Sequence, residues 1–479
     1  MLRKLIPFAL LFSFNSAVFA ENLEEIISNR QPDALLKLTR AIREGADVNK
    51  PVEDGSSLLS TAILTGCDRT IIKALIDAGA KLDAETERNV MSAFTVFRDD
   101  ETTLRFLASE GFNIDLEVLK AATGNKSMKM FKTALELYNS RDFTDERGFT
   151  LLHSAAANAR NPEVVAFLLR QGLGVNDKAS TGTTPLLFAA SHNQDPRIVA
   201  MLAAAGADLA AVDAKGRNAL SCAIYYNKNR EVAETLIKLG TRVNIGDENG
   251  MTPLMHAVVE PANESLVKTL IRHGAKVNAR DNKGSTALIW ACGVKGNENI
   301  VKILLKAGAS LNAGAANHVR ALDMAIRSAA NGDTYKEPRS ASLIDLLLRH
   351  GAKLTSKDPL LYEAWLVAVA AKDGLNLARR IVHLGIDVNM PDRDGITALM
   401  EAAIGNPNPE MVKFLIKSGA RIDTVSRNGT TALLYATQYN NSEVVKFLLA
   451  ETEKTAGKAL PEAELLLRAA SNRDPEVVK

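Results

Sequence analysis

Glycine recurs along this chain with a period of 34 residues. Apolar helical runs close on Gly172, Gly206, Gly240, Gly274 and Gly308, and a second series, Gly148, Gly182, Gly216, Gly250 and Gly284, keeps the same interval. Both series resume downstream, as Gly351, Gly385 and Gly419 and as Gly395 and Gly429. A period this strict means one supersecondary module copied end to end, a solenoid, rather than the roughly three compact domains that 479 residues otherwise suggest. The step from Gly308 to Gly351 is 43 residues, which places an inserted loop at 327–339.

Each module reads as two short helices and a turn. After the second-series Gly comes a run such as Thr184-Pro185-Leu186-Leu187-Phe188-Ala189-Ala190, where Pro suits the first helical position because its missing N–H has no intrahelical partner there. Eleven residues before each closing Gly stands Asp68, Asn161, Asp195, Asn229, Asn263, Asn297 or Asn408, expected to cap the second helix; Pro162, Pro196 and Pro409 follow three of them. The second helix carries apolar residues at helical spacing, such as Val164, Val165, Phe167, Leu168 and Leu169, and ends where Gly172 can turn left-handed. The stretch Gly274-Ala275-Lys276-Val277-Asn278-Ala279-Arg280-Asp281-Asn282-Lys283-Gly284 then reads as a hairpin-like finger.

Gly-Ala-Asp-Leu at 206–209, Asp-Glu-Asn-Gly-Met-Thr-Pro-Leu at 247–254 and Val-Val-Lys-Phe-Leu-Leu at 444–449 resemble the ankyrin-repeat family. The resemblance covers nearly all of the chain after its leader. It implies an all-α repeat solenoid of stacked helix-turn-helix units with short β-hairpin-like fingers, of a kind that mostly binds other proteins. His153 fills the place after the Thr-Pro-Leu run where the family often has His; Leu187, Ser221, Met255, Ile289, Met400 and Leu434 replace it elsewhere, so local hydrogen bonding there should differ. Between Lys81 and Arg147 the beat falters: Gly79 to Gly111 spans 32, and Tyr138 stands where a closing Gly is due, which predicts a degenerate or bent section.

Domain organisation follows. Residues 1–20, with Arg3 and Lys4, an apolar stretch from Leu5 to Phe14 and Val18-Phe19-Ala20, read as a secretory signal peptide cleaved after Ala20. Residues 21–147 hold an N-terminal capping unit and irregular repeats, 148–326 regular repeats, 327–339 the loop insertion, 340–450 further repeats, and 451–479 a degenerate or truncated terminal repeat. There Leu465, Leu466 and Leu467 are expected to be covered by a partner or to fray. The leader implies a periplasmic or secreted protein, with no membrane insertion after cleavage because no later segment is apolar and long enough to span a bilayer.

Lys+Arg 58 against Asp+Glu 56 leaves a net charge of +2, which provides no bulk attraction to a nucleic acid backbone. Cys67, Cys222 and Cys292 fall in separate repeats too far apart to bridge and read as small buried thiols. The seven histidines are scattered singly, no Cys-x-x-Cys occurs, and Asp213, Asp247, Asp281 and Asp392 recur as turn formers. No metal, cofactor or catalytic residue is therefore expected, and a hydrolase built on the scaffold is the disfavoured reading. The favoured one is a non-catalytic protein–protein interaction scaffold, monomeric by itself, exported to the periplasm and regulating or organising an envelope protein. A secreted effector binding a host protein is the alternative. The expected partner contact comprises Phe149, Arg217, Tyr225, Tyr226, Met251 and Trp290, residues at finger and first-helix places that stacking does not fix. Trp290 packing between neighbouring helices, with the tyrosine pair covering a helix end, is the structural alternative. The insertion around Asn331-Gly332-Asp333 is a second candidate contact.

Overall fold

The computed structural model describes residues 33–52, 55–227, 229–260, 263–315, 319–330 and 340–456, with positions 23, 24, 27, 465, 469, 470, 472 and 474–477. The leader, the 331–339 part of the insertion with Asn331, Gly332 and Asp333, and Leu466 and Leu467 lie outside the described residues. The chain forms two compact units, Met1–Arg242 and Val243–Lys479.

In the first unit the regular pattern is Leu151–Asn158 and Pro162–Arg170, then Pro185–His192 and Pro196–Ala204, then Ala219–Cys222 and Arg230–Lys238. In the second it is Pro253–Val259 and Glu264–Arg272, Ala287–Cys292 and Glu298–Lys306, Ala321–Ala330 and Ser342–Arg349, Leu361–Ala370 and Leu375–His383, Ala398–Gly405 and Pro409–Lys417, and Ala432–Tyr439 and Ser442–Ala456. Within each unit first helices pack on first helices and second on second. The 34-residue period shows directly in the core. Val164, Val165 and Leu168 are buried, and so are Ile198, Val199 and Leu202, and Val232, Ala233 and Leu236 in the first unit; Leu266, Val267 and Leu270, and Ile300, Val301 and Leu304, repeat the pattern in the second. Each i, i+1, i+4 triplet is one helix face, and each buried Leu, Ile or Val contributes about 1.5–3 kcal/mol.

Helix starts follow the expected chemistry with two exceptions. Asp68, Asn161, Asp195, Asn229 and Asn408 each accept a hydrogen bond from the second backbone N–H of their helix. Asn263 and Asn297 make no such bond. Asn297 is drawn inward instead, its amide donating to Val258 O at 2.7 Å. Members of both glycine series adopt φ between +71° and +98°. At Gly250 the geometry is doubly restrictive, because a Cβ there would stand 2.8 Å from the backbone N of Asn282 in the next finger.

The irregular section has a simple cause: its fingers are missing. Asp83 and Asp115 cap Ala84–Phe97 and Leu116–Ala122 only four residues after Gly79 and Gly111, so the chain passes straight from one helix to the next. The first of these helices is correspondingly long, at 14 residues. Met128–Leu137 ends without a left-handed residue; Tyr138 is extended, and its hydroxyl donates to Asp142 O at 2.5 Å.

Two sets of asparagines join the repeats. In the finger bases, Asn176 Nδ2 donates to Gly206 O at 3.0 Å while its Oδ1 accepts from Asp208 N at 2.8 Å, and Asn244, Asn278 and Asn389 do the same for Gly274, Gly308 and Gly419. Between the two helices of a repeat, buried Asn193 donates to Ala156 O and Ala159 O, Asn227 to Ala190 O and Asn193 O, and Asn406 to Val369 O and Ala371 O. These amides satisfy carbonyls that the end of a helix leaves without an intrahelical partner.

Candidate functional site

The fingers are built around their aspartates. Asp213 Oδ1 accepts from the N–H groups of Lys215 and Arg217, at 2.9 and 3.0 Å; Asp145, Asp247, Asp281 and Asp392 hold their turns in the same way. Among the described residues the fingers form no strand, only the antiparallel bridges Thr144–Thr150 and Val212–Asn218. Neighbouring tips are joined by single backbone bonds. Ser180 N donates to Arg147 O and Ala214 N to Thr181 O in the first unit, and Asn282 N to Asn249 O and Arg427 N to Asp394 O in the second.

In four of these aspartates the second oxygen takes a donor that differs from repeat to repeat. Lys120 Nζ donates to Asp145 at 2.6 Å, the Arg217 guanidinium to Asp213 at 2.6 and 2.9 Å, His256 Nε2 to Asp247 at 3.1 Å, and the Trp290 indole N–H to Asp281 at 3.0 Å. Burial raises the Asp145 pKa, but Lys120 together with the Phe149 and Arg147 N–H groups outweighs it and holds the carboxyl below its ordinary range.

Trp290 therefore uses its polar edge within its own repeat and is half-buried. Met251 is half-buried too, its backbone N–H on Asp247. Both belong to the second unit.

In the first unit Arg217, Tyr225 and Tyr226 come together. Residues Ala223–Asn227 form a π-helical turn at the end of the first helix. Adjacent residues of an α-helix diverge by about 100° and do not face each other. A wider turn holds more residues, so its neighbours diverge less. The two tyrosine rings accordingly meet edge to face, centroids 4.8 Å apart. Arg217, anchored on Asp213, lies over Tyr226 at 4.7 Å and Tyr225 at 5.9 Å, and donates to the Tyr226 hydroxyl. The pair stays 53% and 44% exposed. Single-turn π segments occur often at functional sites.

Phe149 belongs to a separate aromatic stack on preceding repeats. It lies 5.0 Å from Phe188 and 5.5 Å from His153, and Phe188 lies 4.9 Å from His192. His153 closes a capping box: its Nδ1 accepts from Thr150 N at 3.1 Å, and its Nε2 donates to Thr183 O in the next repeat at 3.0 Å. Burial holds its pKa below the ordinary imidazole value, although the bond to Thr183 opposes this. Where Met255 replaces the His, its sulfur takes the role at 3.5 Å from Thr252 N. Phe188 and His192 were not singled out in the sequence; Phe188 lies one repeat beyond position 154, and that register was the available signal.

All three cysteines are free and buried, as expected. Burial pushes the Cys222 thiol up to about 11 and the Cys292 thiol to about 12. Among the described residues no group of three or more His, Cys, Asp or Glu could hold a metal ion, and no helix is long and apolar enough to cross a membrane.

The family model for ankyrin repeats in three copies matches residues 118–213, 154–247, 186–281, 260–358 and 367–458, well over half of the chain. The chain belongs to the ankyrin-repeat family. Relatives of this ankyrin array match it only in part. Ankyrin repeat and SOCS box protein 6 of Homo sapiens is 28% identical over 28% of this chain, and the chain spans about a third of that relative's length, 36%. Potassium channel AKT1 of Oryza sativa subsp. indica is 37% identical over 19% of this chain and 9% of its own, and palmitoyltransferase ZDHHC17 of Danio rerio 32% over 18% and 14%. Ankyrin repeats bind other proteins, and an interaction scaffold is the general class to which this array belongs.

Proposed function

We propose that this ankyrin array is an exported, non-catalytic scaffold that binds a protein of the periplasm through the aromatic surface of its first unit, and so regulates or organises an envelope protein. The observation that carries the reading is the tyrosine pair on the π turn. Two large aromatic side chains are held in a fixed mutual orientation by a half-buried Arg–Asp pair, yet remain about half exposed. Tyr and Arg are frequent anchors of interfaces, and a preorganised pair loses little entropy on binding. Phe149 and Phe188 supply a separate aromatic stack on the preceding repeats of the same unit. Export rests on the basic and apolar leader ending at Ala20.

Affinity capture from an envelope extract with the full chain tests the contact. Tyr225→Ala with Tyr226→Ala should weaken the captured complex by about 30-fold or more, the loss expected of a hot spot. Undiminished capture by the folded variant refutes the assignment. Protein recovered from the periplasm should begin at Glu21; recovery of an unprocessed chain in the cytoplasm overturns the compartment.

A further inference from the structure

A second surface, in the second unit, goes beyond this reading. Each second helix there from Glu264–Arg272 to Pro409–Lys417 carries a cation in its last turn: Arg272, Lys306, Arg349, Arg380 and Lys417. Helix polarity favours a cation at that end. It does not require one, because Arg69–Asp77, Glu101–Ser109, Met128–Leu137 and Pro196–Ala204 in the first unit carry none in their last turn. More tellingly, Lys276, Lys353 and Arg421 stand two residues past the closing glycines, beyond the reach of the helix terminus.

The result is a notch repeated along the unit. Arg272 and Lys276 flank Gly274, Arg349 and Lys353 flank Gly351, and Lys417 and Arg421 flank Gly419, while Lys306 precedes Gly308. Above each of these glycines the space a Cβ would take is open to 4 Å. Asp387 interrupts the series beside Gly385, and Arg349 is engaged by Asp345. Among the described residues Lys276, Lys306, Lys353, Lys417 and Arg421 are in no ion pair. Among the closing glycines of the first unit only Gly240, between Lys238 and Arg242, is flanked by two cations.

We infer that this edge, through Arg272, Lys276, Lys306, Lys353, Lys417 and Arg421, docks an acidic polypeptide segment in extended conformation. Stacked helices are about 8–10 Å apart, and an extended chain advances about 3.3 Å per residue, so a carboxylate at roughly every third residue meets one notch per repeat. The notches are Gly-Ala turns with no apolar side chain to insert into a bilayer, which favours a peptide over a lipid surface.

The test uses the full chain, a labelled peptide repeating Glu-Gly-Gly, and vesicles of phosphatidylcholine with phosphatidylglycerol. The peptide should bind, more weakly as ionic strength rises past about 0.15 M, where the screening length of about 8 Å equals the notch spacing. Lys276→Glu, Lys306→Glu, Lys353→Glu and Arg421→Glu together should cost about tenfold or more in affinity. The same number of reversals in the first unit, at Arg43, Lys50, Lys81 and Arg170, should leave it unchanged. If the Glu set loses its helical circular dichroism, the corresponding Gln set takes its place. Equal loss in both variants, no loss in either, or binding to vesicles but not to the peptide overturns the inference.

Discussion

Replacing Asn406 by Ala should destabilise the second unit several times more than replacing Asn408, two residues away. Asn406 is fully buried; its Nδ2 donates to Val369 O at 2.8 Å and Ala371 O at 2.7 Å, and its Oδ1 accepts from Asn408 N at 2.9 Å. Ala371 O keeps a second donor, Gly374 N, so that loss is one ordinary bond, about 1 kcal/mol. Val369 O loses the side-chain partner that satisfies it away from water, at about 1–3 kcal/mol, and the part-buried Asn408 N loses one further ordinary bond, about 1 kcal/mol. The sum is about 3–5 kcal/mol. Asn408 makes one exposed cap bond, to Glu410 N at 3.0 Å, and its replacement should cost about 1 kcal/mol. Both tryptophans, Trp290 and Trp365, lie in the second unit, and Trp365 is buried in the helix that supplies the Val369 carbonyl, so tryptophan fluorescence in urea reports the right region. With a slope of about 2 kcal/mol per molar, Asn406→Ala should move the midpoint down by about 2 M. A shift no larger than that of Asn408→Ala would mean that the buried amide does not join the repeats as argued.

Three further outcomes follow from the geometry. Trp290→Phe leaves a buried Asp281 oxygen without its indole donor and should lower stability by about 1–3 kcal/mol while partner capture stays intact; the opposite pattern, stable but non-binding, would return Trp290 to the interface. Gly250→Ala and Gly274→Ala both impose a side chain at positive φ, but only the former crowds the next finger, so its melting temperature should fall further; equal losses would refute close approach as the reason for that glycine. His153 is held below its unfolded value, so the unfolded chain takes up a proton that the folded chain refuses as pH drops below about 6.5. Stability should be flat above that pH and decline below it until the folded ring titrates, by up to about 1.4 kcal/mol per pH unit, and His153→Leu should remove the decline; an NMR titration placing His153 at or above 6.5 contradicts this.

The features legible in the sequence were those that a residue type imposes on its own backbone. Glycines at positive φ, Asp turns and Asn or Asp caps each act within a few residues, and the 34-residue period multiplies them into a fold. What stayed hidden depends on where a side chain points. Asn406 and Asn408 look alike on paper, and only packing decides that one turns in toward the previous repeat and the other caps. Asn297 was read as a cap for the same reason, and turns inward. Trp290 and His256 both stand nine residues after a finger aspartate, a spacing visible in the sequence whose meaning required the helix orientation. The π turn carries no marker residue: Asn218 to Asn227 has the same nine-residue span as Thr184 to Asn193, which is α-helical until its cap.

The fingers suggest how such an array diversifies. Between each turn aspartate and its glycine stand two residues, Glu146-Arg147, Ala214-Lys215, Glu248-Asn249, Asn282-Lys283 and Arg393-Asp394. Apart from Asn282, whose amide also donates to Glu248 O, the links from tip to tip run through main-chain atoms, so most of these side chains answer to nothing in the scaffold. Each copy of the module thus exposes a two-letter word that mutation can rewrite without disturbing the frame. Specificity for a new target could accumulate there one repeat at a time.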